Sequence, residues 1–439
     1  MEWFRQNAPQ NRLQKPTDSR RHFDLSVNVW QASLSSRGAI VRTALFALAL
    51  ASLAYAVVTA PRVGIDLKFF QTGAQEWADG TFQIGAGVVG VYTPFLLPLL
   101  FPIAFLPIDT LVVVWLALNI ASAGLSLHFV NKLWGEQWPL KARLALAAFF
   151  IAFAPFRVTL RNGQISLMVM SLVLGALLAR KRNKDFLAGS LLGLSLCKYT
   201  LTLPFFLYFA CKREWKLTST AILVPLVLTE VFALRLGLSL FQVISQYVGL
   251  AGQILVSGLP GRTGTTEIKL LFLDLTGGNE CFAAILTLSL STAALIAMAI
   301  MFSRKPRWET AHFAALALFS LWSVYHRTYD SVLCLIAAAM LTDFLIHKRF
   351  VAFSRFWLGA LGLLVVSIPG LLVDRLKLDP SSFTRNPLFL LGLHIERLLV
   401  FGMFWSVLFL MWKTRDTGNS LVTDVAHEGE TVDAITVAV

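Results

Sequence analysis

Long apolar runs alternate with short polar segments along most of the chain. A helix needs about 20 apolar residues to cross a bilayer, and about 17 to 25 are tolerated. Several runs are shorter than this, notably around Cys197 and Pro204, which predicts tilted or broken helices there. We therefore predict an all-α polytopic membrane protein with about 10 to 13 transmembrane helices. The candidate spans are Ala44–Ala60, Thr110–Val130, Lys141–Arg157, Ile165–Ala179, Phe186–Cys197, Leu201–Ala210, Leu217–Leu236, Cys281–Phe302, Ala311–Trp322, Ser331–Ile346, Phe356–Val373 and Leu388–Trp412.

Basic residues are concentrated in every second connection between these spans. Because Lys and Arg stay preferentially on the cytoplasmic side, the alternation predicts that both termini are cytoplasmic. It also predicts that the remaining connections, including the long segments 61–92 and 237–280, are outside. The basic clusters are Arg20, Arg21, Arg37 and Arg42; Lys132, Lys141 and Arg143; Arg180, Lys181, Arg182 and Lys184; Lys212, Arg213 and Lys216; Arg304, Lys305 and Arg307; and Lys348, Arg349 and Arg355.

Three regions follow from the distribution of polar residues. Residues 1–42 form a basic, polar segment that precedes the first apolar run, unlike a cleavable signal peptide. Residues 43–413 form the multi-span membrane domain. Residues 414–439 are polar and acidic without helical periodicity, so we expect a disordered cytoplasmic tail.

The segment Tyr92–Pro107 is apolar but contains proline at positions 94, 98, 102 and 107. Proline inside a helix removes a backbone hydrogen bond and clashes with the preceding turn. The segment is therefore predicted to be re-entrant or a broken hairpin at the outer face, where protein or a cavity must satisfy its backbone.

Composition supports the membrane assignment. The chain is 56% hydrophobic and 14% charged with a mean hydropathy of +0.67, too apolar for a soluble globular domain. The net charge of +13 lies in connections rather than on one face, so nucleic-acid binding is not indicated. The four cysteines show no metal or CxxC spacing and are expected to be small apolar helix residues. ATP-binding, zinc-protease and serine-hydrolase motifs are absent from the sequence.

A set of ionisable and polar residues lies at the outer ends of the predicted spans. The cations in this set oppose the positive-inside bias, and ionisable groups at membrane depth usually face a cavity or a partner. We therefore predict one shared site built from four parts of the chain. Its members are Asp66; Arg161, Asn162 and Gln164; Lys198; and His326, Arg327 and Asp330.

Each member has a functional and a purely structural interpretation. Asp66 suits a general base acting on a sugar hydroxyl, or it is a solvated loop acid. It has no neighbouring acid in a DxD arrangement, so a divalent metal is not suggested. Arg161 and the backbone of the RNGQ turn suit a phosphate, although an Asn-Gly turn explains the same residues. Lys198 is either a binding residue of the site or a lysine that only extends its charged end to the membrane surface.

The segment YHRTYD, Tyr325 to Asp330, combines an acid, two bases and two phenols between two spans. Interfacial aromatic residues and an Arg/Asp pair explain it structurally, and His326 alone is more typical of a hydrogen-bonded loop histidine. In the long outer connection, Arg262, Glu267 and Lys269 could contact an acceptor, but simple solvation explains them better.

The order of these elements resembles glycosyltransferase family 87, the polyprenyl-phosphate-dependent hexosyltransferases with the GT-C membrane fold. The resemblance rests on GIDLKFFQTGAQEWADG, VYTPFLLPLLFPIAFLP and RNGQISLMVMSLVLGALLARKRNKDFLAGSLLGLSLCKYTLTLP. A weaker similarity is present at YHRTYD. It covers roughly Gly64 to Trp215.

The resemblance implies transfer of a hexose, typically mannose, from a polyprenyl-monophosphate donor to an extracytoplasmic glycan or glycolipid, with inversion and without metal or cofactor. Asp66 would be the base, and Arg161 and Lys198 would bind the donor phosphate. Tyr92, Asn162, Gln164, His326, Arg327 and Asp330 would shape the site. The alternative is a lipid-linked sugar flippase or secondary transporter, which also uses intramembrane charges. We expect the bacterial plasma membrane, with the site on its outer face.

Overall fold

The computed structural model describes residues 43–60, 64–85, 92–257, 265–303, 308–365 and 387–414. The predicted N-terminal segment, nearly all of the predicted tail, Arg262, the basic connection at 304–307 and the end of the predicted span Phe356–Val373 lie outside these ranges.

Within the described ranges the chain is helical, apart from short turns and one isolated β-bridge between Thr265 and Arg327. A π-helical turn, Asn131–Gly135, extends α4, and 3₁₀ turns lie at Leu196–Lys198 and Thr328–Leu333. The helices are α1 Thr43–Ala60, α2 Ile65–Asp79, α3 Leu96–Ala104, α4 Ile108–Val130, α5 Leu140–Ala152, α6 Ala154–Asn162, α7 Ser166–Lys181, α8 Asp185–Ser195, α9 Tyr199–Cys211, α10 Trp215–Arg235, α11 Leu240–Ser257, α12 Lys269–Leu275, α13 Glu280–Phe302, α14 Glu309–Ser323, α15 Cys334–Ile346, α16 Val351–Leu363 and α17 Pro387–Lys413.

The all-α polytopic membrane fold is confirmed. In the described residues, seven segments are long and apolar enough to cross a bilayer, or up to eight if the bent pair α5 and α6 is one span. This is fewer than the predicted 10 to 13, because that count also included apolar runs shorter than a full crossing. Several runs form shorter helices, including α7 with 16 residues and α14 with 15. Fifteen residues reach only about 23 Å, less than the hydrocarbon thickness of about 30 Å.

Helices α8 and α9 together make up one of these seven segments by length and composition, but the chain reverses between them. Arg180, at the end of α7, lies 2.7 Å from the carboxylate of Glu214, which follows α9. The chain before α8 and the chain after α9 therefore lie at the same face, so the direction reverses at the turn Leu196–Lys198. This agrees with the sequence pattern, which treats the two helices as separate, unusually short elements.

The basic connections in the described part of the chain meet at one face of the bundle. Arg180 pairs with Glu309 at 2.6 Å, and Lys181 donates to the Leu133 carbonyl at 2.7 Å. Trp138 donates to Asp343 at 3.1 Å, which adds the connection after α15. The alternation of basic segments in the sequence thus corresponds to a shared face. The turn at Lys198 lies at the other end of α8, away from this face.

The proline-rich segment is a short, broken element. Helix α3 has nine residues and contains Pro102, so at about 14 Å it is too short to cross a bilayer. Gln71 of α2 donates to the carbonyls of Ala104 and Leu106 at 3.0 and 2.8 Å, and Gln75 donates to Ala104 at 2.8 Å. These amides satisfy backbone acceptors that the end of α3 leaves free.

Candidate active site

Asp66 lies in the first turn of α2 and is oriented by a chain of two hydrogen bonds. The Gln164 amide donates to Asp66 Oδ2 at 2.6 Å, and the Tyr92 hydroxyl donates to Gln164 Oε1 at 2.8 Å. Tyr92 and Gln164 are both buried. Because an amide that accepts from one partner must present its nitrogen to the other, the Tyr92 bond fixes the orientation of Gln164 toward Asp66.

The turn that carries Gln164 depends on Gly163. This glycine has φ +71°, a left-handed conformation, and a side chain there would place its Cβ 2.7 Å from Leu67 Cβ. The indole of Trp115 donates to the Gly163 carbonyl at 2.9 Å. Glycine therefore permits both the turn at the end of α6 and the close approach of α2 that brings Asp66 to Gln164.

Lys198 lies at the tip of the α8–α9 hairpin and is fully buried. Its ammonium lies 2.5 Å from Asp330 Oδ1 and 3.1 Å from Ser166 Oγ, and Ser166 donates to the same Asp330 oxygen at 2.6 Å. Side chains of Lys198 and Asp330 are each 3% exposed, so the charge of Lys198 is compensated inside the protein. The ammonium also lies 4.8 Å from the centre of the Tyr329 ring and 5.5 Å from that of Tyr92.

These two groups belong to one site, since Tyr92 contacts both. Burial raises the pKa of the half-buried Asp66, whereas the Gln164 hydrogen bond and the charges of Arg327 and Lys198 lower it. Burial also raises the pKa of Tyr92 well above its usual range, so this phenol remains a donor at neutral pH. Asp66 is thus a carboxylate whose proton affinity is increased, a property suited to accepting a proton.

His326 and Arg327 lie beside this site, between α14 and the 3₁₀ turn that carries Asp330. Burial lowers the pKa of His326 to about 4, so its imidazole is neutral at pH 7. Its Nδ1 faces the Val324 carbonyl at 3.2 Å and therefore carries the proton, which leaves Nε2 as an acceptor. Among the described residues Nε2 has no hydrogen-bond partner. Arg327 is exposed and donates to the Tyr325 hydroxyl at 2.6 Å.

Arg161 is the second predicted phosphate ligand. It lies in the last turn of α6, one helical turn after Arg157, whose guanidinium contacts Ser52 of α1 at 3.1 Å. Thr159, on the opposite face of α6, donates to the Tyr329 carbonyl at 3.0 Å. Within the described part of the chain, Arg161 forms no hydrogen bond or ion pair, and its buried Nε is unpaired.

The expectation that the RNGQ segment forms a turn requires correction. Arg161 and Asn162 are the last residues of α6, and the turn begins at Gly163. Asn162 is half-buried and has no side-chain hydrogen bond among the described residues.

Sequence reasoning missed Ser166, which bridges Lys198 and Asp330, because an isolated serine in an apolar helix carries no chemical signal. Among the described residues, no group of three or more His, Cys, Asp or Glu side chains could hold a metal ion.

The described residues therefore form a polytopic membrane protein with a buried, charged site at one end of its helical bundle. The sequence pattern of glycosyltransferase family 87 matches residues 91–325, more than half of the chain, and the protein belongs to this family. The matched range contains Tyr92, Gln164 and Lys198, but Asp66 precedes it and Asp330 follows it.

One relative carries a specific description. It is a polyprenol-phosphate-mannose-dependent alpha-(1-2)-phosphatidylinositol mannoside mannosyltransferase from Mycobacterium tuberculosis. The two proteins are 28% identical over 186 residues, which cover 36% of this chain and 42% of the relative. The similarity thus spans less than half of that relative's length.

Proposed function

We propose that the protein transfers a hexose, mannose in particular, from a polyprenyl-monophosphate donor to a glycan or glycolipid acceptor. The transfer inverts the anomeric carbon and uses neither a metal nor a nucleotide sugar. The description of the mycobacterial relative supports this donor class. The observation that carries the proposal is the orientation of Asp66 by Gln164, within the electrostatic range of a buried lysine.

Asp66 is proposed as the general base. Gln164 occupies Oδ2, and among the described residues Oδ1 has no hydrogen-bond partner, so Oδ1 is free to meet an acceptor hydroxyl. As the acceptor oxygen bonds to the anomeric carbon, its proton passes to Asp66. The bond between that carbon and the phosphate oxygen breaks, and its electron pair leaves with the polyprenyl phosphate. The leaving phosphate needs no proton, so no general acid is assigned.

Lys198 and Arg161 are proposed as donor-phosphate ligands. A phosphate offers oxygens to both an ammonium and a guanidinium. The Lys198 ammonium already contacts Asp330 and Ser166. The phosphate must therefore either bind the ammonium as a third partner or displace one of these two side chains. Neutral His326 presents an acceptor nitrogen and is proposed to orient a sugar hydroxyl. The site-shaping roles of Tyr92, Asn162, Gln164, Arg327 and Asp330 complete the proposal.

Replacing Asp66 by Asn tests the mechanism. Asn keeps the shape of the side chain but removes its basicity, so turnover should fall by about 100- to 10,000-fold. Donor binding should persist, since a base acts mainly in the transition state. Transfer from a radiolabelled polyprenyl-phosphate sugar and donor affinity are measured on the same purified protein. Asp79→Asn, at the exposed far end of α2, is the matched control.

Near-normal transfer by Asp66→Asn would remove this residue from the mechanism. Movement of the lipid-linked sugar across vesicles without transfer would instead favour a flippase or transporter.

We further propose that the face with the basic connections is cytoplasmic, that both termini lie there, and that the site faces outward in a bacterial plasma membrane. In a variant lacking the native cysteines, Thr81→Cys after α2 should react with an impermeant thiol reagent in intact cells. Lys184→Cys, exposed before α8, should react only after permeabilisation. The reverse pattern would invert the topology.

A further inference from the structure

A second group of buried ionisable residues lies on α17, outside the proposed mechanism. His394, Glu396 and Arg397 are each no more than 3% exposed. Ionisable groups in a membrane-embedded helix are costly and call for a physical reason. Sequence analysis did not single out these residues.

Two of them hold the polypeptide beside the active site. Arg397 Nη2 donates to Thr265 Oγ1 at 2.7 Å, and Thr328 Oγ1 donates to Glu396 Oε2 at 3.0 Å. All four side chains are buried. We call Glu396 and Arg397, together with these two threonines, the α17 clamp.

The two segments held by the clamp pair with each other around Arg327. Thr265 and Arg327 form the isolated antiparallel bridge, and the backbone N–H of Thr266 donates to the His326 carbonyl at 2.9 Å. Thr328 follows Arg327 directly in the chain. The clamp therefore fixes the backbone across from Arg327 and immediately after it.

Arg327 differs from Lys198 in its charge balance. The Lys198 ammonium has a carboxylate at 2.5 Å, whereas Arg327 has no carboxylate within ion-pair distance among the described residues. Its guanidinium contacts the Tyr325 hydroxyl, remains exposed, and acts electrostatically on Asp66. A guanidinium can bind a phosphate through two parallel hydrogen bonds, provided that its backbone is held in place.

We propose that the α17 clamp positions Arg327 so that its guanidinium binds the donor phosphate beside Asp66. This inference rests on the proposed function and adds to it a further phosphate ligand with its positioning residues. Displacing a ligand by about 1 Å can cost about 100-fold in activity, so a clamp distant from the chemistry has a measurable effect.

The first measurement is the affinity for polyprenyl monophosphate, the released product. Arg327→Ala should weaken it by about 10- to 100-fold, the range for hydrogen bonds to charged groups. Thr265→Val keeps the side-chain shape but cannot accept the hydrogen bond from Arg397. It should weaken the affinity by about 5- to 10-fold, because Arg327 would be only partly misplaced. Thr265→Ser retains the hydroxyl and should restore most of the affinity.

The double variant tests whether the clamp acts through Arg327. If it does, Thr265→Val should add little to the loss of affinity in Arg327→Ala, whereas independent losses would add.

A second readout is the acidic limb of the pH profile of kcat/KM. Because the charge of Arg327 lowers the pKa of Asp66, both Arg327→Ala and Thr265→Val should move this limb to higher pH. The charged and titratable groups that also act on Asp66 are Lys198, Asp330, Tyr92 and Tyr329. None of these four residues is substituted in these variants.

Glu309→Gln, which removes an ion pair at the opposite face, is the control for general destabilisation and should change neither readout. Normal phosphate affinity in Arg327→Ala would overturn the ligand role. Additive effects in the double variant, or a Thr265→Val protein that binds like the wild type, would overturn the positioning role. If Asp66→Asn retained transfer, the proposed function would fail, and the binding measurements would still decide whether Arg327 holds a phosphate.

Discussion

The buried ion pair between Lys198 and Asp330 makes a quantitative prediction about stability. Replacing Lys198 by Met removes the cation but leaves Asp330 in a site where its side chain is 3% exposed. Removing one partner of a buried pair typically costs about 3–5 kcal/mol, because the remaining charge is uncompensated. Ser166 still donates to Asp330 at 2.6 Å, so we expect the lower end of this range, about 3 kcal/mol.

The double variant Lys198→Met/Asp330→Asn should recover most of that loss. Replacing both charges by neutral groups of similar volume is often neutral or even stabilising. The amide of Asn can also accept the hydrogen bond from Ser166. The two substitutions should therefore be coupled: Asp330→Asn should offset most of the loss of about 3 kcal/mol that Lys198→Met causes.

Reversible denaturant unfolding of the purified protein in detergent measures this coupling, and transfer is assayed in parallel. The double variant should be stable but inactive, because it lacks the proposed phosphate ligand. The exposed pair Lys132–Glu136, at 3.2 Å, is the matched control, and Lys132→Met should cost about 1 kcal/mol or less. A Lys198→Met protein as stable as the wild type would refute the buried-charge argument, and full activity in the double variant would exclude Lys198 from donor binding.

Two further predictions concern the base and the packing. Gln164→Leu removes a hydrogen bond that lowers the pKa of Asp66, so the acidic limb of kcat/KM should move to higher pH; a profile that stays in place or moves to lower pH would contradict this. Gly189→Ala would place a Cβ 2.4 Å from the Leu217 carbonyl oxygen, where α8 packs on α10, and should lower stability by about 1–3 kcal/mol, as overpacking typically does. The control Gly359→Ala, which meets no atom within 4 Å, should be neutral or slightly stabilising, and equal thermal midpoints for the two proteins would show that the helix contact is not tight.

Three properties could be predicted from the sequence: the membrane fold, the common face of the described basic connections and the broken proline-rich element. These properties depend on local composition, since hydropathy, proline and charge act over the length of one helix or one connection. The sequence also indicated that Asp66, Gln164, Lys198 and Asp330 approach one another, because each lies at the same predicted end of a span.

Which of these residues become partners depends on how the helices pack. Lys198 and Asp330 are 132 positions apart in the sequence. No local pattern specifies that the partner of this lysine is a carboxylate of the protein rather than a bound ligand. The direction of the Arg161 side chain depends on where α6 ends, since each residue rotates a helical side chain by about 100°. Glu396 and Arg397 lie within an otherwise apolar run, and they bind Thr328 and Thr265, which gain this role only when α17 packs against the segments that carry them. The pairing of buried polar groups is a property of packed helices, because it depends on which faces meet, and hydropathy does not encode that.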